Sequence, residues 1–239
     1  MKISQNTKKK EETNTAKFGC EFCNRQFLRE STVLKHICEY KHRWLEKDKL
    51  ANRIAFQCFL DFYKKTSLNK KTKTYEDFIK SPYYTAFIKF TSYCIDINVI
   101  SISRFLDWLL KNQIKIDTWT SDSVYTNFLI EYLRNEDPFD AIVRSVETTL
   151  VLAQAENIQC KDILRYGNVN KICYQITLGK ISPWMLYQSE SGKNFLSNLD
   201  ETQVKMLIDY INPELWAIKF NRIPDIVIEV KDILNKAGY

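Results

Sequence analysis

The sequence predicts a mainly α-helical protein, in which a small Cys/His-rich unit near the N-terminus precedes an all-α body. Only five Gly and five Pro occur in 239 residues, so tight turns are few, and this favours helices over a many-stranded sandwich. Hydrophobic residues make up 45% of the chain, which is enough for a packed core. Several segments repeat apolar residues every three or four positions, the period of an amphipathic helix.

The first segment, residues 1–16, is polar, rich in Lys and poor in large apolar residues, and we predict a disordered basic tail there. It lacks the apolar core of a signal peptide. No apolar run in the chain reaches the roughly 18 residues that a bilayer-spanning helix needs. We therefore expect an intracellular, cytoplasmic protein with no membrane partner.

Residues 17–43 contain the only two histidines of the chain beside a closely spaced cysteine pair. The pattern Cys20-x2-Cys23-x12-His36-x5-His42 fits the spacing of zinc sites with two cysteines and two histidines. A tight turn brings the two thiolates together, and histidines about one turn apart on a helix supply the rest of a tetrahedron. Four protein ligands close the coordination shell, so the predicted metal is structural rather than catalytic.

The apolar residues between these ligands are spaced as in a ββα unit. Phe18, Phe27 and Val33 occupy the positions where so small a fold needs its few core side chains. With these residues and ligands, segment 17–43 resembles the C2H2 zinc-finger family, and its x5 histidine gap is similar to the matrin-type branch. The resemblance implies a ββα fold around one structural Zn²⁺. Cys38 is an alternative ligand in place of a histidine, although His-x-Cys is awkward on a single helix.

The same resemblance implies a surface for nucleic acid. Counting back from the first metal-ligating histidine places the family's base-contacting positions on Arg29, Thr32 and Lys35. Arg and Lys donate to guanine in the major groove, and Thr can contact the thymine methyl. The cations that remain for phosphate contacts are Arg25, Lys41 and Arg43. Matrin-type fingers bind RNA duplexes or proteins as often as DNA, so RNA remains an alternative to duplex DNA.

Charge is unevenly distributed along the chain. Residues 1–75 contain 18 Lys and Arg against 8 Asp and Glu, a net charge of +10, whereas the remaining 164 residues carry a net −4. The positive charge is thus concentrated beside the Cys/His cluster, and this points to a polyanionic partner for the first third. A solvated basic arm without a partner is the alternative.

Beyond the cluster, residues 44–74 are predicted to form a connecting helix and a basic linker. Leu50, Ile54 and Cys58 recur at helical spacing in a helix that we expect to run from about Arg43 to Lys65. The polar stretch SLNKKTKT at 67–74 is the linker candidate.

Residues 75–239 are predicted to form the helical domain, with helix boundaries marked by capping residues, prolines and a glycine. The predicted helix starts are at Pro82, Ser103, Ser121, Pro138, Asp200 and Pro224, and Gly238 is the last predicted stop. The stretch KICYQITLGKI could be a short strand or another helix.

Nothing in the body marks an active site. Both histidines belong to the cluster, so a His-activated nucleophile is excluded. Four acidic residues that could serve a carboxylate nuclease have no spacing that marks a metal pair; they are Asp107, Glu131, Asp140 and Glu147. Aromatic residues that could stack on bases fit a core better; they include Tyr84, Phe87, Phe90 and Trp184. Cysteines outside the CxxC pair fit small buried hydrophobes.

With stretches such as ISPWMLYQSESGK and a composition rich in Lys, Asn, Ile and Tyr, the body loosely resembles uncharacterised helical proteins of large tailed bacteriophages. That resemblance implies no activity, and it would place the protein in the host cytoplasm.

Three functional hypotheses follow from the sequence. The first is a non-enzymatic, zinc-dependent nucleic-acid-binding protein, with DNA favoured over RNA and with a helical body that binds a protein partner or self-associates. The second is a protein-interaction adaptor in which the metal unit only braces the following helix. The third is a nucleic-acid-processing enzyme that uses the finger as a targeting module and a carboxylate–metal site in the body.

Overall fold

The computed structural model of the protein describes residues 18–67 and 71–239. The tail predicted over 1–16 and the middle of the predicted basic linker lie outside those residues. The mainly α prediction is confirmed, since 73% of the structure is helical. Within the described ranges, the only strands are the two of one hairpin near the N-terminus. None of the described helices is long and apolar enough to cross a membrane.

The chain divides into two compact units, Met1–Thr85 (unit 1) and Ala86–Tyr239 (unit 2). The elements of unit 1 are β1 (Phe18–Gly19), β2 (Gln26–Phe27), α1 (Glu30–Lys35), α2 (Glu39–Leu45), α3 (Leu50–Thr66) and α4 (Tyr75–Lys80). Helix α5 (Tyr84–Asp96) begins at the end of unit 1 and continues into unit 2.

The single helix expected over about 43–65 is instead two helices. Helix α2 begins before that range, and a turn separates it from α3; the amide of Lys47 donates to the carbonyl of Trp44, and the amide of Lys49 donates to that of Glu46. The structure therefore has a corner where the periodicity predicted a straight connection.

Helix α4 packs against α2 and α3 within unit 1. A reciprocal capping box of Thr74 and Asp77 fixes its start. The core of the unit includes Phe59, Phe78 and Ile79, all of which are buried.

Unit 2 consists of the remaining helices. They are α6 (Ile102–Lys111), α7 (Asp122–Asn135), α8 (Pro138–Glu156), α9 (Ile163–Tyr166), α10 (Val169–Thr177), α11 (Pro183–Gln188), α12 (Glu190–Ser197), α13 (Glu201–Ile211), α14 (Pro213–Arg222) and α15 (Pro224–Ala237), with short 3₁₀ turns at Ile116–Thr118 and Cys160–Asp162. The stretch KICYQITLGKI, for which the sequence allowed either a strand or a helix, lies mostly in α10.

Several predicted boundaries in unit 2 are confirmed. Pro138 is the first residue of α8, and Asp200 caps α13 in a capping box with Gln203. Gly238 ends α15 with φ +88°, a conformation that glycine adopts without strain. The start of α6 differs from the prediction, since Ser101 is its cap and accepts a hydrogen bond from the amide of Arg104. Both Ser101 and the predicted Ser103 are possible caps by composition, and only the backbone shows where the helix begins.

The core of unit 2 is rich in aromatic side chains. Phe90 lies 5.6 Å from Phe105 and 5.3 Å from Trp119, measured between ring centroids. Helix α11 packs against α8, α12 and α15, and its Trp184 is fully buried. The aromatic residues that the sequence offered for base stacking in this unit are therefore core residues, as predicted.

A buried ion pair lies among these helices. Glu136 is 4% exposed, and its carboxylate accepts hydrogen bonds from Arg144 and from the Ser182 hydroxyl, each at 2.6 Å. Burial raises the pKa of Glu136, and the neighbouring arginine and hydroxyl only partly offset that effect. Glu136, in the turn between α7 and α8, thereby links Arg144 of α8 to Ser182, the N-cap of α11.

Candidate metal centre

The sulfur atoms of Cys20 and Cys23 are positioned by the turn of the β1–β2 hairpin, in which Phe18 pairs with Phe27. The amide of Cys20 donates to the carbonyl of Arg25 at 2.9 Å, and the amide of Asn24 donates to the carbonyl of Cys20 at 2.8 Å. These two bonds close the loop between the strands and direct Cys20 and Cys23 toward the same point.

Two further candidate metal donors, His36 and Cys38, lie at the break between α1 and α2. Helix α1 ends at Lys35, and His36 follows it in an extended conformation with ψ 120°. Cys38 is the N-cap of α2, and its sulfur accepts a hydrogen bond from the amide of Lys41 at 3.4 Å. Because His36 and Cys38 do not share a helix, the two side chains can converge in spite of their close spacing in the sequence.

The four donor atoms form one cluster. The sulfurs of Cys20 and Cys38 are 3.9 Å apart, and the sulfur of Cys23 is 3.3 Å from His36 Nε2. All four donors lie within 4.8 Å of one another. A tetrahedron with Zn–S of ~2.3 Å and Zn–N of ~2.0–2.1 Å has edges of ~3.8 Å between sulfurs and ~3.6 Å between sulfur and nitrogen. The Cys20–Cys38 and Cys23–His36 separations match these edges to within about 0.3 Å, and with all four donors within 4.8 Å of one another the cluster could hold one metal ion.

The pKa values of Cys20 and Cys23 are shifted in opposite directions. The backbone N–H of Cys23 donates to the sulfur of Cys20 and, with that of Phe22, lowers the pKa of Cys20. The N–H of Arg25 acts on Cys23 in the same direction, but burial and the neighbouring thiols of Cys20 and Cys38 outweigh it and raise the pKa of Cys23. Metal binding requires thiolates, and a bound cation would offset the repulsion between adjacent thiolates.

His42 departs from the predicted ligand set. Its imidazole lies outside the cluster and 3.8 Å from the carboxylate of Glu46, with 62% of the side chain exposed. The structure thus brings together Cys20, Cys23 and His36 of the predicted four and places Cys38 beside them. The prediction assumed that one helix carries both histidines, whereas the break after α1 turns the next helix away.

Little of segment 18–43 is buried apart from the cluster. From residue 18 to residue 43, Cys20 is the only buried residue, and Phe18 is 37% exposed. The ring of Phe27 packs against that of His36, 4.8 Å away. The apolar residues predicted as a core are therefore only partly buried, and a metal ion held by the four donors would add a constraint that hydrophobic packing of this segment does not supply.

The predicted base-contacting residues lie on the outside of this unit. Arg29, Thr32 and Lys35 are all exposed. Within the described chain, none of the three side chains forms a hydrogen bond or an ion pair. These side chains are free to contact a ligand.

The predicted phosphate contacts differ from one another in their availability. Arg25 is exposed and lies against the Phe27 ring, and the ammonium of Lys41 donates to the carbonyl of Leu34 at 3.4 Å. Arg43 is only 15% exposed. Its guanidinium donates to the carbonyl of Ile79 at 2.6 Å and to the Glu39 carboxylate. Arg43 therefore connects α2 to α4, and its guanidinium is already engaged by groups of the protein.

Apolar side chains are exposed on the same unit. Leu28 and Leu34 are each 71% exposed, and Ile37 is 63% exposed. Isolated exposed apolar residues are ordinary, but three within ten residues of so small a unit add an apolar component to a basic surface.

No second cluster of this kind is found in the described ranges. There, the four residues of the candidate centre are the only group of three or more Cys, His, Asp or Glu side chains placed to hold a metal ion. Comparisons with protein-family models, with curated proteins and with solved structures find no match to the chain.

From the sequence alone, Cys38 ranks below His42 as a ligand. The segment from Leu28 to Leu45 contains neither Gly nor Pro, so nothing in the sequence marks the end of α1. The remaining signal is the close spacing of Cys38 to the first histidine, and it can be interpreted only once the helix is known to break.

Proposed function

We propose that the protein binds nucleic acid through a small unit held together by one structural Zn²⁺, with duplex DNA as its principal ligand. The observation that carries the proposal is the combination of four converging Cys and His donors with exposed Arg29, Thr32 and Lys35, at the N-cap and within the adjoining helix α1. Three thiolates and one imidazole are a typical donor set for zinc.

The metal's role in this proposal is to shape the surface. Four protein donors leave no position for water or substrate, so the ion would be structural. It would hold the hairpin, α1 and the start of α2 in one arrangement, which the few half-buried side chains of the segment support only weakly.

Two features support nucleic acid as the ligand. The net charge of residues 1–75 is +10, whereas the remainder of the chain is net negative. Arg29 is the N-cap of α1 and Lys35 is its last residue, and in a major groove such side chains can donate to guanine O6 and N7. Each phosphate that a Lys or Arg neutralises would add about 0.9 to the dependence of log K on log salt.

Fluorescence anisotropy of the zinc-loaded full-length protein tests the proposal. The probes are duplex DNA, duplex RNA and single-stranded DNA at several salt concentrations. The double variant Arg29→Ala, Lys35→Ala should weaken binding to duplex DNA, by roughly 1–3 kcal/mol for each base that the protein no longer touches. The matched control is Lys231→Ala, Lys236→Ala, which removes the same charge from exposed positions of unit 2.

The control makes the outcomes distinct. If only Arg29→Ala, Lys35→Ala weakens binding, the result supports docking through α1. Equal affinity of this variant and the wild type, or equal losses in this variant and the control, would refute the proposed surface. Preference for duplex RNA would retain the surface and replace the ligand.

A second candidate function is protein interaction. Two observations favour it. Leu28, Leu34 and Ile37 are exposed, and Arg43, predicted as a phosphate contact, is instead hydrogen-bonded to Ile79 of α4. In that case the zinc unit would brace α2 and present an apolar surface to a partner. Salt-dependent binding to nucleic acid would then be missing for all three probes.

A further inference from the structure

A groove of about 540 Å³ lies within unit 1, beside the corner between α2 and α3. Its walls come from the end of α2, the following turn, the first two turns of α3 and the start of α4. The residues that matter for its chemistry are Trp44, Lys47, Asp48, Arg53, Gln57 and Tyr75. The volume is within the range of ~300–1,000 Å³ that is typical of small-ligand sites.

One wall of the groove is aromatic and held in place. Trp44 lies 5.7 Å from Tyr75 in an edge-to-face arrangement and 5.9 Å from Phe22 of the hairpin loop. The hydroxyl of Tyr75 donates to the carbonyl of Arg43 at 3.3 Å, which fixes the tyrosine. Both Trp44 and Tyr75 remain half-exposed, so a flat ring could stack there without a rearrangement of the core.

Cations lie at the edge of this wall. The ammonium of Lys47 lies 5.1 Å from the centroid of the Trp44 ring. Arg53 is exposed on the first turn of α3, and within the described chain its guanidinium has no hydrogen-bonding partner. A negatively charged group attached to a stacked ring would therefore meet two positive side chains.

Hydrogen-bonding groups complete the lining. Asp48 and Gln57 are exposed, and neither side chain is hydrogen-bonded to another described residue. A carboxylate accepts from exocyclic amino groups of bases, and a carboxamide both donates and accepts along a base edge. An aliphatic or aromatic peptide segment would use the ring wall but would leave these polar and cationic groups without partners.

We propose that this groove binds one unpaired nucleotide of a nucleic acid chain. The base stacks against Trp44 and Tyr75, Lys47 and Arg53 contact its phosphate, and Asp48 or Gln57 accepts or donates at the base edge. Stacking on aromatic side chains beside cations is the general mode of single-strand binding. The site uses none of the base-contacting residues of α1, so it goes beyond the function proposed above. The substrate class that would occupy both surfaces is a duplex with a single-stranded extension.

The test uses 2-aminopurine, a fluorescent base that is quenched when it stacks on an aromatic ring. The probes are a single strand and a duplex with a short overhang, each with 2-aminopurine in the unpaired part, and a blunt duplex of the same sequence. Wild-type protein should quench the unpaired base and bind the overhang duplex on the order of tenfold more tightly than the blunt one.

Two kinds of variant identify the groove. Lys47→Gln with Arg53→Gln changes exposed positions and should remove most of the preference for the overhang, measured as the ratio of overhang to blunt affinity, in which a general effect of the two lost charges on duplex binding cancels. Trp44→Leu should abolish quenching. If circular dichroism shows that Trp44→Leu has lost its fold, the paired glutamine variant decides alone. The control Lys231→Gln, Lys236→Gln should retain both quenching and preference.

The outcomes separate this inference from the proposed function. Equal affinity of the wild type for blunt and overhang duplexes, without quenching, overturns the groove assignment even if duplex binding persists. A preference that the paired glutamine variant retains in full overturns it as well. Quenching and groove-dependent binding of the single strand, with no binding of the blunt duplex, would support the groove while refuting the duplex-binding proposal.

Discussion

Replacing Cys38 and His42 one at a time separates the observed donor set from the set that the sequence predicted. Cys38→Ser changes the candidate metal donor but keeps the helix cap. Serine is a good N-cap, and its oxygen can replace the sulfur as acceptor of the Lys41 amide at the start of α2. The variant therefore removes a candidate metal donor without removing the cap. His42→Ala removes an exposed side chain whose nearest charged neighbour is Glu46, and alanine suits a helix interior.

The expected magnitudes differ widely. Structural Zn²⁺ sites with four ligands have apparent binding free energies of about 10–16 kcal/mol at neutral pH. If one donor carries roughly a quarter of that energy, Cys38→Ser should cost about 3 kcal/mol, a factor of roughly 100 in zinc affinity. His42→Ala should change the affinity by at most about 0.5 kcal/mol, the usual range for surface substitutions.

Chelator competition followed by elemental analysis measures the zinc affinity of the full-length protein. Cobalt substitution adds a count of thiolates, because the thiolate-to-cobalt charge-transfer absorption scales with their number. The wild type should show three thiolates, Cys38→Ser two, and His42→Ala three. If Cys38→Ser kept full affinity while His42→Ala lost the metal, the donor set described above would be refuted and the predicted one restored.

Four further predictions concern stability. Because burial raises the pKa of Glu136 above the ordinary value, the folded state binds this proton more tightly than the unfolded state, so its contribution to stability falls as pH rises above about 4.5. The unfolding free energy of wild type relative to Glu136→Gln should therefore decrease from pH 4 toward pH 7 in denaturant titrations, and a flat difference would contradict this. Arg144→Ala should cost about 3–5 kcal/mol at pH 7, because it leaves a buried carboxylate unpaired; a loss below 1 kcal/mol would count against a buried pair. Asp200→Ala should cost about 1 kcal/mol through the loss of its capping box, whereas Ser121→Ala, at a helix start without a side-chain cap bond, should leave the melting temperature nearly unchanged. Arg43→Gln should lower the stability of unit 1, as followed by amide hydrogen exchange in α2 and α4, and unchanged exchange would show that its bond to a backbone carbonyl is dispensable.

Features that depend on short-range interactions could be predicted from the sequence. Pro138 and Asp200 mark helix starts, and Gly238 marks a helix end, because each acts through its own backbone or through hydrogen bonds that reach about three residues. The mainly α class followed from apolar periodicity and from the scarcity of glycine and proline. Cys20 and Cys23 could be recognised in the sequence as two donors of one metal site because a tight turn joins them.

The fourth donor required the tertiary structure. Cys38 and His42 are both close to His36 in sequence, and the choice between them depends on whether one helix continues through residues 36–42. No glycine or proline marks the break, so local propensity favoured a continuous helix and hence His42.

Local patterns are enough to predict a mainly helical chain, several helix ends at specific caps, and a metal-site candidate at a cysteine pair near a basic N-terminal region. The three-dimensional packing decided that Cys38 completes the donor cluster and that Arg43 joins α2 to α4. It also decided that Trp44 and Tyr75, 31 positions apart in the sequence, form one wall of a groove. The physical reason is that caps and turns are satisfied by neighbours in the chain, whereas donor sets, buried ion pairs and grooves depend on distances through space that no local pattern specifies.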